Sequence, residues 1–167
     1  MSSFEKIISL IIPFYNSEET LQKCLDSVAA QTVDREKLEV ILVNDGSTDG
    51  SEKTAKKFAS EKTFATIITR SHGGSGAARN SGITAARGKY IAFLDADDSL
   101  SADAIKNTVD FFEENEESTD IVAYRMIPYT KSGRKKCDFK NEKLATDIYD
   151  LNVEGNEFLC PNGMNIV

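Results

Sequence analysis

Three carboxylates crowd into four positions at Asp95, Asp97 and Asp98, in the stretch FLDADDS (93–99) that follows a run of apolar residues. Like charges this close raise one another's proton affinity, so a fold must compensate them with solvent, hydrogen bonds or a cation. One interpretation is a solvated turn, in which Asp98 and Ser99 form the turn and a helix cap. The other is a metal site in which Asp97 is a ligand, because Mg²⁺ and Mn²⁺ favour carboxylates combined with substrate phosphates.

The same stretch does not fit a calcium-binding loop. Asp95 and Asp97 occupy the first and third ligand positions, but Leu100 stands where the loop requires glycine and Lys106 where it requires a bidentate glutamate. A metal site at the end of a strand is therefore the better form of the metal interpretation.

The glycine-rich stretch HGGSGAAR (72–79) suggests a phosphate-binding loop. Gly74 and Gly76 match two glycines of a dinucleotide fingerprint, but Arg79 replaces the third, and residues 88–90 (GKY) do not complete a P-loop. Glycines still let backbone N–H groups approach a ligand, and Arg79 offers a planar donor for a diphosphate. A glycine-rich turn with a surface arginine is the equally open alternative.

Two further loops follow strand-like segments. In NDGS (44–47), Gly46 gives the φ freedom for a tight turn and Ser47 or Thr48 a helix cap, while Asp45 could instead accept a hydrogen bond from a nucleobase. In PFYN (13–16), an aromatic ring could stack on a base or simply pack against the core. His72 is expected to be structural.

Composition limits the class of protein. The chain has 167 residues and a net charge of −7, which suits one globular domain and argues against a general nucleic-acid binder. Neither a zinc site nor a disulfide framework is indicated, and a reducing cytoplasm fits the three widely spaced cysteines, Cys24, Cys137 and Cys160. The N-terminal apolar run is interrupted by Pro13 and predicts a buried strand, too short for a membrane span.

Strands and helices alternate along the chain. Predicted strands cover 7–12, 38–44, 65–70, 90–95 and 120–129. Predicted helices cover 16–31, 51–60, 77–88 and 101–115. The first is expected to be capped by Asn16 or Ser17, the third to end at Gly88, and the fourth to be capped by Ser101. This order predicts an α/β fold with a mostly parallel central sheet and helices on both faces. Ligands bind at the carboxyl ends of such strands, which is where all four loops fall.

The C-terminal part has a different character. Residues 131–143 carry six basic and two acidic residues, whereas 144–167 carry four acidic residues and no basic ones. A solvated hairpin or loop is the simplest interpretation of the basic stretch, and contact with an anionic acceptor or a lipid surface is the weaker one.

Taken together, SLIIPFYNSEETLQKCLDSV, EVILVNDGSTDGS and HGGSGAARNSGITAARGKYIAFLDADD resemble, in order and spacing, the N-terminal half of a family 2 glycosyltransferase with the GT-A fold. The resemblance covers roughly residues 7–112. It implies a Rossmann-like nucleotide-sugar-binding core over 1–130 and, over 131–167, the incomplete start of an acceptor-side region. The implied activity is transfer of a sugar from a nucleoside diphosphate with inversion.

The resemblance also implies roles for individual residues. Pro13, Tyr15 and Glu18 would border the nucleoside and Asp45 would bond the base. Along the diphosphate and sugar would lie Gly74, Arg79 and Asn80. Asp95 and Asp97 match the family's D-x-D motif: Asp95 would approach the ribose or the waters of the metal, and Asp97 would ligate Mn²⁺ or Mg²⁺, which offsets the charge of the departing diphosphate.

Two features depart from the family pattern. Many members have Asp where this chain has Asn44. Inversion also needs a general base, which the family takes from an acidic motif downstream of D-x-D. No recognisable copy occurs before Val167, and Asp138, Asp147 and Asp150 lie outside that context, so the catalytic base is left unassigned. A piece of a longer enzyme that binds the donor but transfers weakly or not at all is the expectation.

The family suggests a UDP-linked donor, a saccharide or polyol-phosphate acceptor, and cell-surface polysaccharide or teichoic-acid-like synthesis. The expected location is the cytoplasm, with peripheral association at the inner face of the membrane through regions outside this sequence. One alternative is a catalytically incomplete nucleotide-sugar-binding or assembly module. The other, a nucleotidyltransferase, needs a glycine-rich basic loop where this chain has PFYNSEE.

Overall fold

The computed structural model describes residues 6–116 and the backbone of two short strands further along the chain. The elements alternate as predicted: β1 (Lys6–Phe14), α1 (Leu21–Ala29), β2 (Leu38–Asn44), α2 (Ser51–Glu61), β3 (Ala65–Thr69), α3 (Ser75–Ala85), β4 (Gly88–Phe93) and α4 (Ala104–Glu114). The two short strands are β5 (Tyr129–Thr130) and β6 (Gly133–Arg134).

The first four strands form one parallel sheet in the order β3-β2-β1-β4. From residue 8 to residue 14, and throughout β2, every side chain is buried, as expected for strands covered on both faces. The chain moves outward from β1 to β3 and then returns to place β4 on the other side of β1. The strand order therefore reverses between β1 and β4, which is where open α/β sheets bind ligands.

Helices cover both faces of this sheet. Successive side chains of a strand point to opposite faces, so the buried residues of β1 divide into two sets. Leu10 and Ile12 pack with residues of α1, α2 and α4. Ile11 instead packs with Ala78 of α3. The predicted fold class, a mostly parallel α/β sheet with helices on both faces, is confirmed.

Three predicted helix caps are wrong. α1 begins at Leu21, after a turn in which the Ser17 carbonyl accepts hydrogen bonds from the N–H groups of residues 20 and 21. α4 begins at Ala104, and the Ser101 carbonyl accepts hydrogen bonds from the Ala104 N–H and from the Gln31 amide. α2 begins at Ser51, beyond both Ser47 and Thr48. In each case the cap-type residue is used in contacts between elements.

Gly88 also has a different role from the predicted one. α3 ends at Ala85, and Gly88 begins β4. A Cβ on Gly88 would lie 2.6 Å from the Ser9 nitrogen, and the Gly88 N–H donates to Ser9 Oγ at 2.8 Å. Ser9 Oγ in turn donates to the buried Glu39 carboxylate at 2.7 Å, and Arg87 Nε donates to the same carboxylate at 2.8 Å. Gly88 is therefore required by the close approach of β4 to β1.

The chain divides into two units, Met1–Glu114 and Asn115–Val167. In the second unit β5 pairs with β6 in an antiparallel hairpin, which agrees with the hairpin interpretation of the start of the basic stretch. The predicted strand over 120–129 lies outside the described residues except for Tyr129, as do Asp138, Asp147 and Asp150. Among the described residues, no helix has the length and apolar character needed to cross a membrane.

Candidate functional site

An open cleft of about 590 Å³ lies at the carboxyl ends of β1 and β4, at the point where the strand order reverses. Its wall consists of residues 13–20, which follow β1, together with Asp49, Ala96 and Asp97. Pro13, Tyr15, Glu18 and Asp97, which the sequence places in separate motifs, therefore line the same space.

The loop after β3 lies against the loop after β1 through two aromatic rings. Tyr15 is 44% exposed, and its ring stacks on the His72 ring with centroids 4.1 Å apart and planes at 25°. His72 also contacts Asp45, with its Nδ1 2.8 Å from Oδ2 and 3.1 Å from the backbone oxygen. His72 thus connects the two residues expected to recognise a nucleoside.

Asp45 is only 2% exposed and is surrounded by donors. Arg70 forms an ion pair with Oδ1, and the N–H groups of Gly73 and Gly74 donate to the carboxylate at 3.1 and 2.8 Å. Burial alone would raise the pKa of Asp45, but the hydrogen bonds from Gly73 and Gly74 and the charge of Arg70 outweigh it and lower the pKa. Asp45 is therefore an ionised carboxylate at the end of β2.

The loops after β1 and β2 are joined by the carboxylates of Glu18 and Asp49. Glu18 donates its N–H to Asp49 Oδ2 at 3.0 Å, and its own Oε2 accepts from the Gly50 N–H at 3.1 Å. Asp49 Oδ1 accepts from the Ser51 N–H at 3.0 Å. Both carboxylates lie at the amino end of α2, where the helix dipole favours negative charge. Glu18 therefore lines the cleft and also holds the start of α2.

Asn44, the departure from the family pattern, closes the turn after β2. Its side chain is buried, and its Oδ1 accepts a hydrogen bond from the Ser47 N–H at 2.9 Å. An amide oxygen satisfies this buried donor as a carboxylate would, without adding a second negative charge beside Asp45. The substitution is thus compatible with the geometry of the loop.

Arg79 and Asp95 form an ion pair with Nη2 and Oδ1 2.6 Å apart. Arg79 is 15% exposed, and its Nε is buried without a hydrogen-bond partner in the described part of the chain. Gly74 precedes α3 with a φ of 88°, and a Cβ on Gly74 would meet no atom within 4 Å. Asn80 is exposed on α3 and is not among the residues that line the cleft.

Asp97 and Asp98, although adjacent, have different surroundings. Both are exposed, but Asp97 lines the cleft, whereas the Asp98 N–H donates to the Asp95 carbonyl at 3.0 Å and closes a turn. Partial burial and the charges of Asp97 and Asp95 raise the pKa of Asp98. Burial and the charges of these three carboxylates raise the pKa of the Cys24 thiol to about 12. Negative charge is thus concentrated at the end of β4.

The carboxylates at the end of β4 suit a cation for which the protein supplies only some of the ligands. Within residues 6–116, no three His, Cys, Asp or Glu side chains converge as a metal site would require. Asp97 offers hard carboxylate oxygens at the cleft, and Asp95 is close to it but paired with Arg79. Mg²⁺ and Mn²⁺ are commonly bound in this way, through one or two carboxylates and the phosphates of a ligand.

Sequence reasoning missed three partners at this site: Asn16, Arg70 and His72. Arg70 belongs to no motif, and His72, the first residue of the glycine-rich stretch, was expected only to be structural; their position after the third strand places both at the same edge of the sheet. Asn16 was expected to cap a helix, and it binds the neighbouring loop instead.

Solved structures with the same fold define the class of this protein. Residues 1–349 of TarS from S. aureus, solved with UDP-GlcNAc, match with a TM-score of 0.63 and 30% identity over 67% of this chain and 32% of that one. The mannosyltransferase PcManGT from Pyrobaculum calidifontis, solved with GDP-Man and Mn²⁺, matches with a TM-score of 0.59 and 28% identity over 63% of this chain and 32% of that one. The chain thus has the fold of the GT-A glycosyltransferases.

The family follows from the sequence match. Residues 9–167 match the model of glycosyl transferase family 2, and the chain belongs to that family. It is 35% identical over 148 residues to a poly(ribitol-phosphate) beta-glucosyltransferase of Bacillus spizizenii, covering 87% of this chain and 23% of the relative. It is 34% identical to the minor teichoic acid biosynthesis protein GgaB of Bacillus subtilis, covering 94% of this chain and 17% of the relative. The chain spans about a fifth of the length of these relatives.

Proposed function

We propose that this chain carries the donor site of an inverting, metal-dependent glycosyltransferase that uses a UDP-linked sugar. The observation that carries the proposal is that Tyr15 and Asp97, from the loops after β1 and β4, line one cleft where the strand order reverses. An aromatic ring can stack on the base of a nucleoside diphosphate, and a carboxylate can hold the cation that binds its phosphates.

The nucleoside would lie along the loop after β1, bordered by Pro13, Tyr15 and Glu18. Asp45 would accept a hydrogen bond from the base. A carboxylate has about four acceptor sites, and the four donors already around Asp45 fill them. Of the two side-chain donors, His72 is the more exposed, at 54% against 26% for Arg70. A base N–H would therefore reach Asp45 most easily from the side where His72 lies.

The diphosphate and sugar would lie along Gly74, Arg79 and Asn80. Arg79 brings a guanidinium to the end of β4 and fixes the position of Asp95. The Gly74 N–H is already bonded to Asp45, but the open space beside the Gly74 Cα leaves room for phosphate oxygens. Asp97, with Asp95, would hold Mn²⁺ or Mg²⁺, and the bound cation would offset the charge of the departing diphosphate.

Transfer with inversion requires the acceptor oxygen to bond the anomeric carbon on the side opposite the diphosphate, while a base takes the hydroxyl proton. We assign no residue of this chain to that base. The names of the relatives support a saccharide or polyol-phosphate acceptor and a role in cell-surface polysaccharide or teichoic-acid-like synthesis. We place this reaction in the cytoplasm, with peripheral association at the inner face of the membrane through other segments.

A thermal-shift panel of UDP, GDP, CDP and TDP, each with and without Mn²⁺, tests the proposal. A ligand at a hundred times its dissociation constant adds about 2.7 kcal/mol to the unfolding free energy. We expect the largest rise in melting temperature with UDP and Mn²⁺ together. The absence of a shift with every nucleotide would refute the donor site. Binding without sugar transfer to any acceptor would instead identify a donor-binding module.

A further inference from the structure

The hydrogen-bonded ladder between β1 and β2 ends at the level of the cleft. Phe14 is paired with Asn44, and the last backbone bond runs from the Asp45 N–H to the Phe14 carbonyl at 2.9 Å. Tyr15 and Asp45 therefore lie on two loops that have just left the sheet. Whatever holds these loops together beyond this point also sets the position of the Tyr15 ring relative to the Asp45 carboxylate.

Asn16 makes the first connections beyond the ladder. Its Oδ1 accepts a hydrogen bond from the Thr48 N–H at 2.8 Å and a longer one from the Thr48 hydroxyl at 3.4 Å. Its own N–H donates to Ser47 Oγ at 3.1 Å. One residue of the loop after β1 thus binds two successive residues of the loop after β2, through both its backbone and its side chain.

The backbone of Asn16 is also unusual. Its φ of 47° makes it the one non-glycine residue with positive φ in the described part of the chain. Asn and Asp adopt this left-handed region far more readily than other residues that carry a side chain. Two properties are therefore needed at position 16: tolerance of left-handed φ, and an acceptor atom that reaches Thr48.

We infer that Asn16 is a positioning residue for the donor site, because it joins the loop that carries Tyr15 to the loop that carries Asp45. The inference rests on the proposed function and extends it. Asn16 is exposed, so its hydrogen bonds are not part of the buried core, and it immediately follows Tyr15. Their effect is to fix the direction in which the chain leaves Tyr15, whose ring stacks on His72 beside Asp45.

Three substitutions separate the two properties. Asn16→Gly keeps left-handed φ and loses the acceptor, Asn16→Asp keeps both, and Asn16→Ala loses both. Thr63→Gly is the matched control, because Thr63 is an exposed turn residue before β3, at the opposite edge of the sheet. All variants are made in the full 167-residue chain.

The first measurement is the dissociation constant of UDP with Mn²⁺ by calorimetry. Loss of the hydrogen bond should weaken UDP about tenfold in Asn16→Gly, with a larger loss in Asn16→Ala. Asn16→Asp should bind uridine as tightly as the wild type does, because uridine has no phosphates for the added charge to repel. Thr63→Gly should bind UDP as the wild type does. Wild-type affinity for UDP in Asn16→Gly would overturn the inference while leaving the proposed function intact.

The second measurement does not depend on nucleotide. Amide hydrogen exchange of Thr48, followed by NMR without ligand, should be slow in the wild type and Asn16→Asp and fast in Asn16→Gly and Asn16→Ala. Equal exchange in the wild type and Asn16→Gly would overturn the inference even if no nucleotide bound. Failure of the wild type to bind UDP, with Thr48 protected, would instead count against the proposed function alone.

Discussion

The Tyr15 and His72 rings stack across two different loops, with centroids 4.1 Å apart, and the same imidazole contacts the Asp45 carboxylate through Nδ1. Sequence reasoning treated His72 as structural and Tyr15 as a possible contact for a base. The geometry shows that their positions depend on each other. A nucleoside that reaches both Tyr15 and Asp45 therefore has to accommodate His72, either beside it or in its place.

Replacing His72 tests this dependence. Aromatic pairs contribute about 0.5–1.5 kcal/mol beyond area burial, so His72→Ala should weaken UDP binding about three- to tenfold by leaving Tyr15 without its stacking partner. His72→Phe should keep the stack and lose only the contact with Asp45. Calorimetric titration of UDP measures both effects. Tighter binding of UDP to His72→Ala would show that the imidazole competes with the base and does not support Tyr15.

The two neighbouring aspartates Asp97 and Asp98 should respond differently to substitution. Asp97 faces the cleft, whereas Asp98 is part of the turn that its N–H closes. Asp97→Asn should remove the Mn²⁺-dependent part of the UDP thermal shift, because an amide is a weaker ligand for a hard cation. Asp98→Asn should retain most of it. Equal losses in the two variants would mean that the metal ligand has been misassigned.

Arg79 should act on the phosphates and not on the base. Hydrogen bonds to charged groups contribute about 1.5–3 kcal/mol, so Arg79→Ala should weaken UDP about tenfold or more while changing uridine affinity less than twofold. Arg79→Lys keeps the charge but lacks the planar guanidinium with its several donors, and an intermediate loss is expected. Parallel titrations with UDP and uridine provide the comparison. A similar loss for both ligands would show that Arg79 supports the whole site.

Asp45 should make stability depend on pH in the acid range. Its pKa is lower in the folded protein than the unfolded value of about 3.9, so its stabilising contribution is complete above that value and is lost as pH falls through the folded pKa. Urea unfolding at pH 7 should show Asp45→Asn to be less stable by roughly 1–3 kcal/mol, because Arg70 loses its charged partner. The difference from wild type should shrink as pH falls below about 4.

Glu39 offers the matched control for Asp45. Burial opposes its ionisation, but hydrogen bonds from Ser9 and Arg87 outweigh burial and lower its pKa, so its contribution to stability has the same sign. Glu39 lies near the start of β2, away from the cleft at the other end of the strand. Glu39→Gln should therefore lower stability and leave UDP affinity unchanged, whereas Asp45→Asn should lower both. A pH-independent difference between wild type and Asp45→Asn would contradict the role of Asp45.

The strands, their order along the chain and the shared edge of the four loops could be predicted from the sequence. Short, β-branched apolar runs such as IISLII favour strands buried on both faces, and parallel strands bring their carboxyl ends to one edge. Helix starts could not be predicted with equal success. Asn16 and Ser101 have the side chains of caps, but the Asn16 amide oxygen and the Ser101 backbone carbonyl instead accept hydrogen bonds from residues 32 and 70 positions away in the chain.

The partners of Asp45 were beyond sequence reasoning for a related reason. Arg70 and His72 reach Asp45 only because β3 pairs with β2 in a register that places Thr69 beside Asn44. A shift of two residues along the strand would remove both contacts while leaving every local pattern unchanged. The pairing of Arg79 with Asp95 likewise depends on how α3 packs on the sheet, and the spacing of the two residues does not reveal it.

Both helix starts at this edge are occupied by the protein's own carboxylates, Glu18 and Asp49 at α2 and Asp45 just before α3. At the start of α2 both carboxylates already accept backbone N–H groups, so a further anion arriving there would meet net repulsion. Before α3 the Gly73 and Gly74 N–H groups already donate to Asp45, and Arg79, one turn into the helix, is paired with Asp95. A diphosphate arriving at this edge therefore finds the dipoles of α2 and α3 already compensated, and would have to bring its countercharge with it as a bound cation.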